Sequence, residues 1–288
     1  MILILGVLIN VAFLTLLERK VLRYNQLRVG PNKPSFVGLA QPAADAIKLF
    51  SNKAIVIILI IWVIKFIPVL GLMLILLRWL VYPSFYFNLS IRFRVLFLLM
   101  LLRLRVYPVM LMGWRSRRKY AKLGAIRNVA QRISYEVSLA LIILILIVVD
   151  LFLNFGELFD IKLCSLLILP GLLVIWLIAR LRETNRTPFD FSEGERELVS
   201  GFNVEFSRYK FAMIFMAEYA RIYFLSSLTV VLFFSFFLRL GFIFYIFFWL
   251  WARARFPRYR YDFLINLNWK RILPVVLIFL FWVNLILI

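Results

Sequence analysis

The chain has 288 residues, 64% hydrophobic and 17% charged, and its Lys and Arg outnumber its Asp and Glu by 35 to 14, a formal net charge of +21. That balance excludes an ordinary soluble domain, which is about half apolar and a quarter charged. It also argues against a nucleic-acid partner, because the basic residues lie between apolar runs rather than on one polar face. Cys164 is the single cysteine and histidine is absent. An internal disulfide and an all-protein iron–sulfur ligand set are therefore excluded, and the commonest haem ligand is missing. No two glycines stand one residue apart, so no G-x-G-x-x-G turn exists.

A helix needs about 20 apolar residues to cross a bilayer core. In chain order the apolar runs predict eight spans: Met1–Leu17, Ala54–Leu77, Phe93–Met112, Val137–Phe155, Leu163–Ala179, Phe211–Phe234, Phe236–Ala252 and Ile272–Ile288. The expected fold class is an all-α integral membrane protein, one transmembrane domain over 1–288. Four long connections (18–53, 114–135, 180–210 and 253–271) fall on one side. Within them, the stretches from the first to the last basic residue hold 26 of the 35 basic residues. The positive-inside rule turns that side toward the cytoplasm or the matrix, and the excess charge suits protein partners and anionic lipid. In the first connection, Leu39, Ala43, Ile47 and Phe50 recur at helical spacing. They predict a short amphipathic helix at the membrane surface.

The third connection carries ETNRTPFDFSEGERELVSGFNVEF. Six of the fourteen acids, Glu183, Asp190, Glu193, Glu195, Glu197 and Glu205, fall within it. Ser192 and Glu195 match a capping box, so a solvated loop leading into a capped helix is one reading. The other is a proton-holding cluster, since closely spaced carboxylates raise one another's proton affinity. Two further acids stand at or in spans. Glu136 lies at the mouth of the fourth, one turn after Arg132. Glu218 lies two turns into the sixth, three residues before Arg221. Each has a plain ion pair as its bland reading. An ionisable group at membrane depth otherwise marks an ion or proton path.

The four basic-side connections together resemble the NADH–ubiquinone oxidoreductase chain 1 family, the quinone-site membrane subunit of respiratory complex I, which has a bacterial counterpart. The matching stretches are LLERKVLRYNQLRVGPNKPSFVGLAQPAADAIKLF, GWRSRRKYAKLGAIRNVAQRISYE, the acid-rich stretch continuing as YKFAMIFMAEYARI, and RARFPRYRYDFLINLNWKRILP. The resemblance implies eight helices with matrix-facing loops. It implies ubiquinone as bound substrate, with no metal, haem, flavin or iron–sulfur cluster in this chain. The implied partners are the hydrophilic complex I subunits at the quinone junction, the other complex I membrane subunits and membrane lipid. The implied location is the mitochondrial inner membrane, multi-pass, or less readily a bacterial plasma membrane. The chain would then act enzymatically only as a subunit of a proton-translocating NADH:ubiquinone reductase, and no catalytic residue is assigned to it.

Matched motif by motif, the resemblance assigns quinone-channel roles to Glu18, Arg19, Arg28, Gly30, Pro31, Asp45, Arg127, Gln131 and Arg186. It assigns proton-path roles to Glu136, Glu183, Asp190, Glu193, Glu195, Glu197, Glu205 and Glu218. Arg253, Arg258, Arg260, Tyr261 and Asp262 are expected mainly as docking surface. Two positions depart from the family pattern. Lys53 stands where a glutamate is expected, and Arg196 stands within a segment that usually reads GESE. The alternatives are a membrane anchor of a related hydrogenase-type complex and a stand-alone proton or ion transporter. Against the transporter, no repeated pair of broken spans is visible.

Overall fold

A computed structural model describes residues 2–33, 36–51, 61–82, 94–116, 119–150, 170–190, 206, 208–234 and 238–287. Among these residues the chain is helical, with no strand. The helices are α1 (Ile2–Asn25), α2 (Gln41–Ser51), α3 (Ile61–Val81), α4 (Arg94–Leu104), α5 (Val106–Arg115), α6 (Lys119–Asp150), α7 (Pro170–Glu183), α8 (Tyr209–Phe233), α9 (Leu238–Arg255), α10 (Tyr261–Leu267) and α11 (Leu273–Leu287). Four helical stretches among the described residues are long and apolar enough to cross a membrane: Arg94–Arg115, Lys119–Val149, Tyr209–Phe233 and Tyr261–Leu285. Phe66–Val81 is a shorter apolar one. The protein is an all-α membrane protein. The expected start of the second span and parts of the fourth and fifth lie outside the described residues.

α8 is the central helix. From Ala217 onward nearly every residue is buried, against α3, α1 and α9. A helix apolar on all sides belongs in the middle of a bundle. α6 contributes Ile142, Ile143 and Leu146 to the same core, and Trp176 of α7 and Trp249 of α9 close it. Apolar side chains gain little by leaving lipid for one another, so close packing has to hold such helices together. α5 and α6 show how close. A Cβ on Gly113 would stand 2.0 Å from that of Ala125.

Several boundaries differ from those the apolar runs suggest. α6 begins at Lys119, so most of the connection predicted over 114–135 is the first half of a 32-residue helix. Its buried residues Ala121, Ala125, Asn128 and Arg132 follow helical spacing. The charges among them hid that period from a reading by hydropathy. The predicted third span is interrupted at Arg105, between α4 and α5. Pro108 has no N–H to give the carbonyl of Leu104, which weakens the helix there. α10 and α11 are joined by a π-helical turn, Asn268–Ile272, just before Pro274. That turn brings Asn268 inside, where its Nδ2 donates to the Ser134 carbonyl at 2.6 Å.

α2 is the short helix expected in the first connection. It is amphipathic and buries no residue, and it exposes Ile47 and Phe50. Before it, Gly38 adopts φ +75°. A side chain there would meet the Pro31 carbonyl at 2.2 Å, so only glycine fits the turn.

Candidate functional site

Five elements bring charge into the apolar bundle. α3 supplies Arg78, and the break between α4 and α5 supplies Arg105. α6 supplies Arg132 and Glu136. The end of α7 supplies Arg182 and Glu183, and α8 supplies Glu218 and Arg221. All five of these arginines and Glu183 are buried. Arg105 pairs with Glu183. Burial alone would push the Glu183 carboxyl up, but the guanidiniums of Arg105, Arg221, Arg132 and Arg78 together overcome it and hold it below the usual carboxylate range.

The segment after α7 is pinned by polar contacts rather than by regular structure. The amide N–H of Phe189 donates to the Arg186 carbonyl at 2.8 Å, and Asn185 takes φ 51°. With the Asn185 amide oriented to suit its neighbours, its oxygen accepts from Arg132 Nη2 at 2.8 Å. Its nitrogen donates to the Arg182 carbonyl at 3.2 Å. Gln131 Nε2 approaches the same carbonyl at 3.4 Å. The Arg182 guanidinium lies over the Tyr135 ring at 4.4 Å and the Phe189 ring at 5.0 Å. A delocalised cation tolerates burial best in this way, stacked on aromatic faces.

This anchored segment carries Arg186 to α8, where its Nη2 meets Glu218 Oε2 at 2.7 Å above the Phe215 and Tyr219 rings. The partner of Glu218 in that pair is thus Arg186, not the Arg221 that helical spacing suggests. Arg132 likewise turns to Asn185. Glu136 keeps a buried carboxylate oxygen without a hydrogen-bond partner. Glu183, Arg105, Arg132 and Arg78 act on it electrostatically.

A cavity of about 50 Å³ lies between α3, α5, α6 and α8, lined by Arg105, Arg132, Glu218 and Arg221 among apolar residues. It is polar and roomy enough for water. Arg105, Arg132 and Arg221 each keep at least one buried N–H without a partner. The arrangement can hold water against three guanidiniums and the Glu218 carboxylate.

The other expected site residues fall into two groups. Glu18, buried near the end of α1, pairs with Arg253, and Arg253 Nε also donates to Thr187 Oγ1 at 3.2 Å. Asp190 pairs with Arg258 at 3.2 Å. Arg253 and Arg258 therefore tie the acid-bearing segment to α1 and to the segment after α9. Arg253 is thus partly buried in a contact within the chain, whereas Arg258, Arg260 and Asp262 are exposed. At the end of α1, Arg19 pairs with Asp45 at 2.7 Å and Gln41 supports that carboxylate at 2.9 Å. Arg28 follows on an exposed turn with Gly30 and Pro31. Arg127 lies over the Tyr261 ring at 5.8 Å. Glu193, Glu195, Glu197 and Glu205 lie outside the described residues, as do Lys53, Arg196 and the capping box.

Three site residues lie outside the matched motifs: Arg78, Arg105 and Arg182. Arg78 was expected in a connection on the less basic side. It is wholly buried in α3 and donates from Nη2 to the Leu101 carbonyl at 2.7 Å. A charge inside or beside an apolar run was the available signal.

Residues 1–284 match the family described as NADH dehydrogenase. The chain is 50% identical to NADH-ubiquinone oxidoreductase chain 1 of Anopheles gambiae, over 98% of this chain and 92% of the relative. It is 46% identical to the chain 1 of Locusta migratoria, over 98% and 92%, and 43% identical to that of Nyctalus noctula, over 97% and 98%. Near-complete coverage at such identity makes this chain a member of the NADH dehydrogenase family to which these chain 1 proteins belong.

Proposed function

We propose that this chain is the core membrane subunit of respiratory complex I that forms the quinone-access channel and the start of the proton-coupling path. On this reading it sits in the mitochondrial inner membrane against the hydrophilic subunits that deliver electrons. Ubiquinone is its substrate, and the redox centres belong to its partners. The observation that carries the reading is the largely buried Arg186–Glu218 pair. It joins the acid-bearing segment to a helix in the centre of the bundle, beside a water-sized polar cavity.

The pair suggests how coupling works. Arg186 belongs to the segment after α7, whereas Glu218 belongs to the bundle. A movement of that segment on quinone reduction withdraws the guanidinium from the carboxylate. A buried carboxylate left without its counter-charge is costly, and taking up a proton is the local remedy. Return of Arg186 then expels the proton into the cavity. Glu193, Glu195, Glu197 and Glu205 extend the same path on the quinone side.

The test is Glu218→Gln in the assembled complex. NADH oxidation with a short-tailed quinone should fall about tenfold or more, the scale of losing one positioned proton-transfer group. NADH oxidation by a hydrophilic artificial acceptor should stay within about twofold of the parent. Full quinone activity with normal proton pumping would sink the coupling role.

A further inference from the structure

α5 ends at Arg115 and α6 begins at Lys119, and the two helices pack together with Gly113 of one against Ala125 of the other. Beside that contact they leave a groove of about 500 Å³. This is the scale of a ligand pocket rather than of a packing flaw. Its floor is Gly113 and Ala125, and its walls are Met110, Trp114, Ile126 and Lys122. Trp114 and Ile126 are among the most exposed large apolar side chains of the bundle. The lining holds one formal charge, the Lys122 ammonium.

The position of the groove matters as much as its lining. It lies at the end of α5 and the start of α6, on the side where the basic residues gather. Arg115 and Lys119 are exposed there as well, and Lys119 and Lys122 share a helix face at i, i+3. An apolar slot opening under a cluster of cations fits one kind of molecule well. A phospholipid brings an apolar chain and a phosphate joined at the right distance from the membrane surface. Trp114 suits that boundary, where amphipathic rings are enriched. A helix from another protein would fill the slot but would also need an acidic group placed opposite Lys122.

We propose that the α5–α6 groove is a binding site for an anionic phospholipid, with one acyl chain between Trp114 and Ile126 and the phosphate on Lys122, assisted by Lys119 and Arg115. The site does not depend on the quinone reading; it rests on the groove and its cations alone.

The test uses the intact complex that contains this chain, gently solubilised from its own membranes. Phosphatidylglycerol and phosphatidylcholine, each with a photoreactive group on one acyl chain, are cross-linked to it in parallel, and the labelled peptides are mapped. Phosphatidylglycerol should label peptides within 110–129 about fivefold more strongly than phosphatidylcholine, whose choline cation offsets the phosphate charge; this is the ratio expected from one lysine facing a net negative headgroup near the surface. Unlabelled phosphatidylglycerol should suppress that labelling and protect Lys122 from acetylation. Equal labelling by both lipids would overturn the headgroup assignment. Absence of label, or cross-linking of these peptides to a neighbouring subunit, would overturn the site itself.

Discussion

Two ion pairs in this molecule have the same chemistry and opposite surroundings. Arg105–Glu183 lies between helices with both side chains under 5% exposed, whereas Arg19–Asp45, at the end of α1, is 54% and 35% exposed. Water solvates the outer pair whether or not it forms, so its net worth is small and screened by salt. The inner pair has no such reserve. Removing the Glu183 carboxylate strands the Arg105 cation in a medium that cannot stabilise it. The same pairing rule thus makes a surface ornament in one place and a structural necessity in the other.

The inner region is also lopsided, with Arg78, Arg105, Arg132 and Arg221 all acting on Glu183. This imbalance makes the two ends of the Arg105–Glu183 pair unequal. Glu183→Gln removes the carboxylate that four guanidiniums share, and a loss of about 3–5 kcal/mol is expected. Arg105→Met leaves Glu183 with three cations and relieves their mutual repulsion. Its cost should stay below about 2 kcal/mol, within the ordinary range for a point substitution. Thermal release of this chain from the solubilised complex measures both. Equal losses would show that the excess of cations has no energetic consequence.

Acid should act on the same group. The folded-state proton affinity of Glu183 is depressed, so its stabilisation is complete above the ordinary carboxylate pKa. It is lost as pH falls through the lower folded value. Inactivation followed from neutral pH down to about 3 should therefore steepen below roughly pH 4.5. The steepening should be smaller in Glu183→Gln, whose site cannot titrate. An unchanged profile in the variant would assign the acid limb to other carboxylates.

A milder effect of opposite sign is expected at Arg221. It repels Arg105 and Arg186, keeps an unpartnered Nε, and is not the partner of the Glu218 pair. Arg221→Ser should be neutral or stabilising by about 1 kcal/mol, read from the same release temperature. A loss above about 2 kcal/mol would mean that Arg221 holds Glu218 after all. The smallest effect belongs to the outer pair. Asp45→Asn should change stability by less than about 1 kcal/mol, and by less still at high salt.

Much of the site was legible in the chain order of residues. Glu136 and Glu218 stood out as acids at or within apolar runs, Glu183 and Asp190 as members of an acid-rich connection, and Arg186 through the family resemblance; four of these five meet or face one another in the bundle. Their partners were not legible. Local spacing offered Arg221 to Glu218 and Arg132 to Glu136, because i, i+3 and i, i+4 neighbours are the only ones a sequence displays. The fold instead chose Arg186, from a connection, and turned Arg132 toward Asn185. Arg253 and Arg258 read as surface because they belong to a basic connection. The fold instead leaves Arg253, at the end of α9, partly buried against Glu18 and Thr187, while Arg258 stays exposed even though it pairs with Asp190.

Hydropathy and charge, read along the chain, were enough to point to an all-helical membrane protein and to predict one strongly basic side, because both act locally and need no partner. Long motifs in four connections were enough to point to the family. The packed bundle was needed to show where helices continue beyond their apolar runs, as α6 does through Lys119–Arg132. It was needed again to show which cations neutralise which acids. Those outcomes depend on burial and on contacts between residues far apart in the chain. The energy of a charge is set by the medium and the groups around it, which only the assembled bundle supplies.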